Sequence, residues 1–156
     1  MKDNIFRVIM LWLFSIIVFS CSNEEEVEPS LEVSPITIQG TWKLAELNNS
    51  ALPEDFYVYI TFDREGKYTM YQKHDSMYPR RITGSYVIEK DYFLGYIISG
   101  QYDYGNGDWN NEYVVTDLFQ SGSMVWTVKD GDEVTKYVRC DAVPQEIIDE
   151  AKVSEE

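Results

Sequence analysis

The side chains able to do chemistry in this chain are few and scattered. One histidine, His74, lies in the polar stretch Gln72-Lys73-His74-Asp75-Ser76. A single imidazole rules out a His-based metal cluster and an HEXXH site. A Ser–His–Asp relay would have to use His74, and no Gly-x-Ser-x-Gly turn accompanies it to expose a serine. No glycine-rich phosphate loop is present. Carboxylates are abundant, but an acid–base pair is defined by separation in space, which spacing along the chain does not give. The most unusual stretch of the domain lies between Gln101 and Glu112, where Asp103, Asp108 and Glu112 are hard oxygen ligands of the kind calcium takes. EF-hand spacing fails there, because Gly105 and Gly107 stand where its third and fifth positions need Asp or Asn. The same stretch carries Tyr102, Tyr104 and Trp109, candidate rim residues whose rings could stack on a sugar or a partner; a long polar hairpin loop is the plainer alternative. The residues read as non-enzymatic, with no catalytic residue, metal or cofactor expected.

Two cysteines remain. Cys21 follows a short charged start (Lys2, Asp3, Arg7) and an apolar run from Val8 to Phe19 broken only by Ser15. That pattern is a secretory signal peptide, residues 1–20, with too short an apolar core for a good membrane span. Its end, Val18-Phe19-Ser20-Cys21, resembles the lipobox of bacterial lipoproteins, although Phe19 is bulkier than the usual second residue. The resemblance implies that Cys21 becomes the acylated first residue of the mature chain and attaches it to a lipid bilayer. Cys140 is then left without a disulfide partner despite export. It reads as a small buried residue of the last strand, the alternative being a reactive thiol.

The full chain has 13 Lys and Arg against 27 Asp and Glu; losing Lys2, Arg7 and Asp3 with the leader leaves 11 against 26, a net charge of −15. Such a surface repels phosphate backbones, which excludes nucleic acid as a partner. It also repels anionic headgroups, so membrane attachment must come through acyl groups, two or more of which anchor stably.

Residues 21–37 read as an acidic, flexible tether, because Ser22-Asn23-Glu24-Glu25-Glu26 and the Glu28, Pro29, Ser30 and Pro35 that follow bury too little surface to fold. Acidic residues directly after a lipid cysteine resemble the surface-export signal of Bacteroidota lipoproteins. That resemblance implies an outer-membrane location facing the cell exterior; a simple soluble spacer is the alternative. Asp75-Ser76-Met77 resembles the O-glycosylation motif of the same group, which implies a modified Ser76, against an ordinary loop serine.

From Ile38 the pattern turns to period two, the signature of strands. Trp42 and Leu44 share a face, and Phe56, Val58, Ile60 and Phe62 form another, opposed by Tyr57, Tyr59, Thr61 and Asp63. Arg64-Glu65-Gly66-Lys67 makes a turn into Tyr68 and Met70. Ile82, Tyr86 and Ile88 share a face, as do Tyr92, Leu94, Tyr96 and Ile98. Residues 112–120 pair with 123–129, and Asp130-Gly131-Asp132 leads into 134–140. These are eight antiparallel strands with no useful helix between them. Closing them hides one apolar face and removes exposed edges, so the expectation is an all-β, eight-stranded up-and-down barrel over residues 38–142, with a sandwich as alternative. Residues 143–156 form a short helix and tail, with Pro144 near the helix start and Ile147, Ile148 and Ala151 on a docking face.

Gly40-Thr41-Trp42, the run Ile60 to Tyr68, Gly84-Ser85-Tyr86-Val87-Ile88 and Met124-Val125-Trp126-Thr127 occur in an order that resembles the lipocalin-like domains of Bacteroidota lipoproteins. The resemblance implies a barrel floor in which Trp42, opened by Gly40, is covered by a late arginine, here Arg139; an exposed strand arginine is the alternative. Val115-Thr116-Asp117-Leu118 is similar to a second lipocalin motif, but Leu stands where Tyr is expected, so the match reads as chance. Trp42, Phe56, Phe62, Tyr68, Tyr86, Tyr92 and Tyr96 are candidate inward residues; so many large side chains argue for a mostly filled interior, with room for one small apolar or aromatic ligand or for none. Two functions follow. The first is a surface lipoprotein whose barrel binds a small apolar ligand or serves as a binding module. The second is a filled barrel acting through its loop rim on a surface protein partner, as an accessory to a glycan or adhesion system.

Overall fold

The computed structural model describes residues 27–74, 78–104 and 107–153. The expected signal peptide, Cys21, the run Ser22 to Glu26 and Ser76 lie outside the described residues. The strands are β1 (Gly40–Leu47), β2 (Ser50–Ala51), β3 (Tyr57–Phe62), β4 (Lys67–Lys73), β5 (Arg80–Asp91), β6 (Gly95–Tyr102), β7 (Tyr113–Thr116), β8 (Ser123–Val128), β9 (Val134–Cys140) and β10 (Lys152–Val153); the helices are α1 (Pro35–Ile38) and α2 (Gln145–Glu150).

Apart from the two-residue β2 and β10, each strand pairs antiparallel with the next, and β9 returns to β1. The sheet thus closes into an eight-stranded up-and-down barrel, as the period-two pattern requires. Trp42 stands opposite Ile60 on one side and Arg139 on the other. The end where β1 begins, which also carries the turns after β3, β5 and β7, is the floor; the opposite end is the mouth. Trp42, Phe62, Ile98, Leu118 and Met124 are fully buried near the floor. Each such side chain contributes about 1.5–3 kcal/mol through removal of apolar surface from water.

Two expectations are corrected. The tether does not extend to residue 37. Leu31 N donates to Leu118 O at 2.7 Å, Val33 is buried, and α1 closes the floor with Ile38 inside. The helix forms because Ser34 and Thr37 cap each other reciprocally and Pro35 opens it. Second, Tyr92 is not inside: it is 92% exposed, and Leu94 is exposed with it. Asp91 Oδ1 accepts from Phe93 N and Leu94 N, so β5 ends there and residues 92–94 are a turn rather than a strand. Tyr59 points away from the interior, as the alternation predicts, and is nevertheless buried, as is its cross-strand neighbour Tyr71. The chain leaving β9 crosses this outer face through α2, with Ile147 half-buried, and pairs β10 in parallel with Arg80 and Arg81 of β5.

Candidate functional site

Above the packed floor the barrel interior holds a cavity of about 420 Å³ that opens at the mouth. Period-two alternation builds its wall. Leu44, Val58, Ile60 and Met70 supply an aliphatic side from β1, β3 and β4, and Tyr113, Trp126 and Tyr137 supply an aromatic side from β7, β8 and β9. Phe56 and His74 stand at the mouth with their rings edge to face, centroids 6.0 Å apart. Asn110, Asn111 and Glu133 complete a polar rim. The volume and the apolar lining with few polar groups fit a small-molecule site.

Tyr102, Tyr104 and Trp109 are the candidate rim residues. The structure turns them inward, each half-buried against the core. Trp109 N donates to Gly100 O at 2.8 Å, and its indole Nε1 donates to the Tyr68 hydroxyl at 2.9 Å. Two glycines make room for this arrangement. A methyl group on Gly100 would lie 2.3 Å from Trp109 Cε2, and one on Gly84 would lie 2.7 Å from Tyr68 Cε1. Trp109 then sits among Tyr113, Trp126 and Tyr68, with ring centroids 5.3–6.2 Å away. Tyr102 lines the cavity too, its ring 5.8 Å from that of Tyr104. The paired glycines and the Gly-Asp-Trp of the loop were visible in the sequence, but nothing in their spacing signals a chain folding back into a barrel.

Burial is the main cause that raises the hydroxyl pKa of Tyr68, Tyr102, Tyr113 and Tyr137, so these groups stay neutral across the physiological range. One wall residue also carries a polar atom that is packed away from solvent and unpaired among the described residues. The Trp126 indole N–H is buried and has no acceptor among the described residues. Leaving such a donor unpaired costs about 1–3 kcal/mol.

The calcium-type carboxylates do not converge: Asp108 accepts from Gln101 Nε2 at 3.1 Å, while Glu112 is paired with Lys129. Cys140 ends β9 only partly buried, and desolvation pushes its thiol up, away from the reactive thiolate.

At the floor, Arg139 lies over the Trp42 ring, 4.3 Å from its centroid. Its Nη1 donates to Gln39 O at 2.5 Å and its Nη2 to Thr37 O at 3.0 Å, while Trp42 Nε1 donates to Ile38 O at 2.7 Å. Gly40, at φ +116°, passes so close that a methyl group there would lie 2.7 Å from Arg139 Nη1. One arginine therefore joins the last strand, the first strand and α1 beneath the cavity.

A family model described as a lipocalin-like domain matches residues 38–141. No characterised protein and no solved structure matches the chain at a significant level.

Proposed function

Since the chain belongs to the lipocalin-like domain family, we propose that it is a cell-envelope lipoprotein of the Bacteroidota type whose barrel binds a small apolar or aromatic molecule. The observation that carries this reading is the mouth cavity of about 420 Å³, aliphatic on one side and aromatic on the other. An apolar guest gains by leaving water. The barrel acts by binding rather than by catalysis. Acylated Cys21 attaches the chain to the outer membrane, and the acidic run Ser22 to Glu26 directs it to the outer face. The open mouth half favours this reading over a filled barrel that works only through its rim.

Native mass spectrometry of the protein extracted from its own host tests it. The expected result is an added mass of small-molecule size that unfolding releases, with weaker retention in Trp126→Phe. Ligand-free protein that also fails to enhance an apolar fluorescent probe such as N-phenyl-1-naphthylamine would overturn the binding role.

A further inference from the structure

We propose that the β5–β6 turn, Tyr92-Phe93-Leu94, docks into the interfacial layer of the bilayer that anchors the chain. Tyr92 and Phe93 are 92% and 89% exposed, and Leu94 is exposed beside them. Isolated apolar side chains on a surface are ordinary. Here three are consecutive, and the turn that presents them is held in shape. Asp91 Oδ1 accepts from Phe93 N at 2.7 Å and from Leu94 N at 2.8 Å, and Gly95 closes the turn at φ +88°. The two aromatic rings meet edge to face with centroids 4.9 Å apart. Nothing in the barrel core uses them.

Their position gives the occupant. The turn lies at the floor end, and so does the segment that leads back to the N-terminus. Tyr96, just after the turn, donates its hydroxyl to Glu32 Oε1 at 3.1 Å, and Glu28 Oε1 accepts from Ser121 N in the β7–β8 turn. Val27 and Ile36, 87% and 76% exposed, add apolar surface to the same end. Cys21 stands six residues before Val27. Six residues span at most about 20 Å even when fully extended. The inference rests on the lipoprotein reading of Cys21: an acyl group there holds the floor end within that distance of the bilayer, with the turn on the side facing it. Tyr suits the headgroup level, with an apolar ring and a polar tip, and Phe and Leu suit the acyl boundary. The acidic surface supplies no electrostatic attraction, so the contact depends on apolar burial and on the high local concentration of bilayer that the anchor provides.

The test uses the lipidated chain with Cys140→Ser and a polarity-sensitive fluorophore on Phe93→Cys, reconstituted into phosphatidylcholine vesicles. Asp132→Cys, in the β8–β9 turn at the mouth, is the control. The expected result is a blue-shifted label at 93 that a nitroxide high on the lipid acyl chain quenches several-fold more than the label at 132. Protein that floats with the vesicles while both labels report water overturns the docking and leaves the anchor standing. A blue shift at 93 without nitroxide quenching assigns the turn to a protein contact and also overturns it. Protein that does not float at all removes the anchor, and the docking with it.

Discussion

The Trp109 indole N–H donates to the Tyr68 hydroxyl at 2.9 Å, tying the long β6–β7 loop to the far wall of the barrel. Tyr68 is buried in β4, and its hydroxyl also lies 3.4 Å from Gln101 O. The loop is thus a half-inserted stopper whose tryptophan narrows the cavity from the mouth side. Access to the cavity and the packing of the aromatic wall depend on the same ring.

Gly100→Ala should evict that ring, because the added methyl group would lie 2.3 Å from it. The expected outcome is a red-shifted tryptophan emission and faster access of an apolar probe, with the barrel still folded by far-UV circular dichroism. Trp109→Ala should give the same access gain and destabilise the protein by about 2–3 kcal/mol, less than a fully buried tryptophan would. Emission and access unchanged in Gly100→Ala would contradict the stopper.

At the floor, Trp42→Ala should cost about 3–5 kcal/mol in urea unfolding, since its ring is wholly buried. Arg139→Ala removes the contact over that ring and the hydrogen bonds to Thr37 O of α1 and to Gln39 O just after it, a loss of about 1–3 kcal/mol. Arg139→Lys should recover little, because an ammonium cannot reproduce the planar fork that reaches Gln39 O and Thr37 O together. Full recovery by lysine would reduce the arginine to a point charge.

Alkaline pH should weaken the fold through its buried tyrosines. Burial pushes Tyr86 up to about 12 from an ordinary value of 10, and its hydroxyl donates to Asp63 O at 2.5 Å. The folded state therefore favours the protonated phenol. This contribution is fully present below pH 10 and is lost as pH rises from 10 through about 12. Tyr86→Phe should lower stability at neutral pH by about 1 kcal/mol and flatten the decline between pH 10 and 12. Denaturant melts across that range, read beside phenolate absorbance, check both the sign and the window.

Cys21→Ala should abolish retention in the membrane fraction, with the chain recovered soluble. Replacing Glu24, Glu25 and Glu26 with Ala should leave retention intact and lower the access of added protease on whole cells. A Cys21→Ala protein that still sediments with membranes would refute acyl anchoring.

The sequence by itself determined the barrel. Apolar residues at every second position, as in Val58-Tyr59-Ile60-Thr61-Phe62, make a strand with one face that must be hidden, and eight such strands in series have closure as their simplest solution. The floor pair was legible only through the family resemblance, since nothing in spacing brings Trp42 near Arg139. Tertiary structure decided everything that depends on chain segments leaving the sheet. A capping box too short to register as a helix turned the supposed tether into a plug. An aspartate side chain ended β5 early and pushed Tyr92 into solvent. Trp109, read as a rim residue, went inside because Gly100 leaves it a space the size of a methyl group. Periodicity reports which face of a strand is buried, because the pleat repeats every two residues. It carries no information on where a loop folds back, because that depends on side chains far apart in sequence meeting in one place.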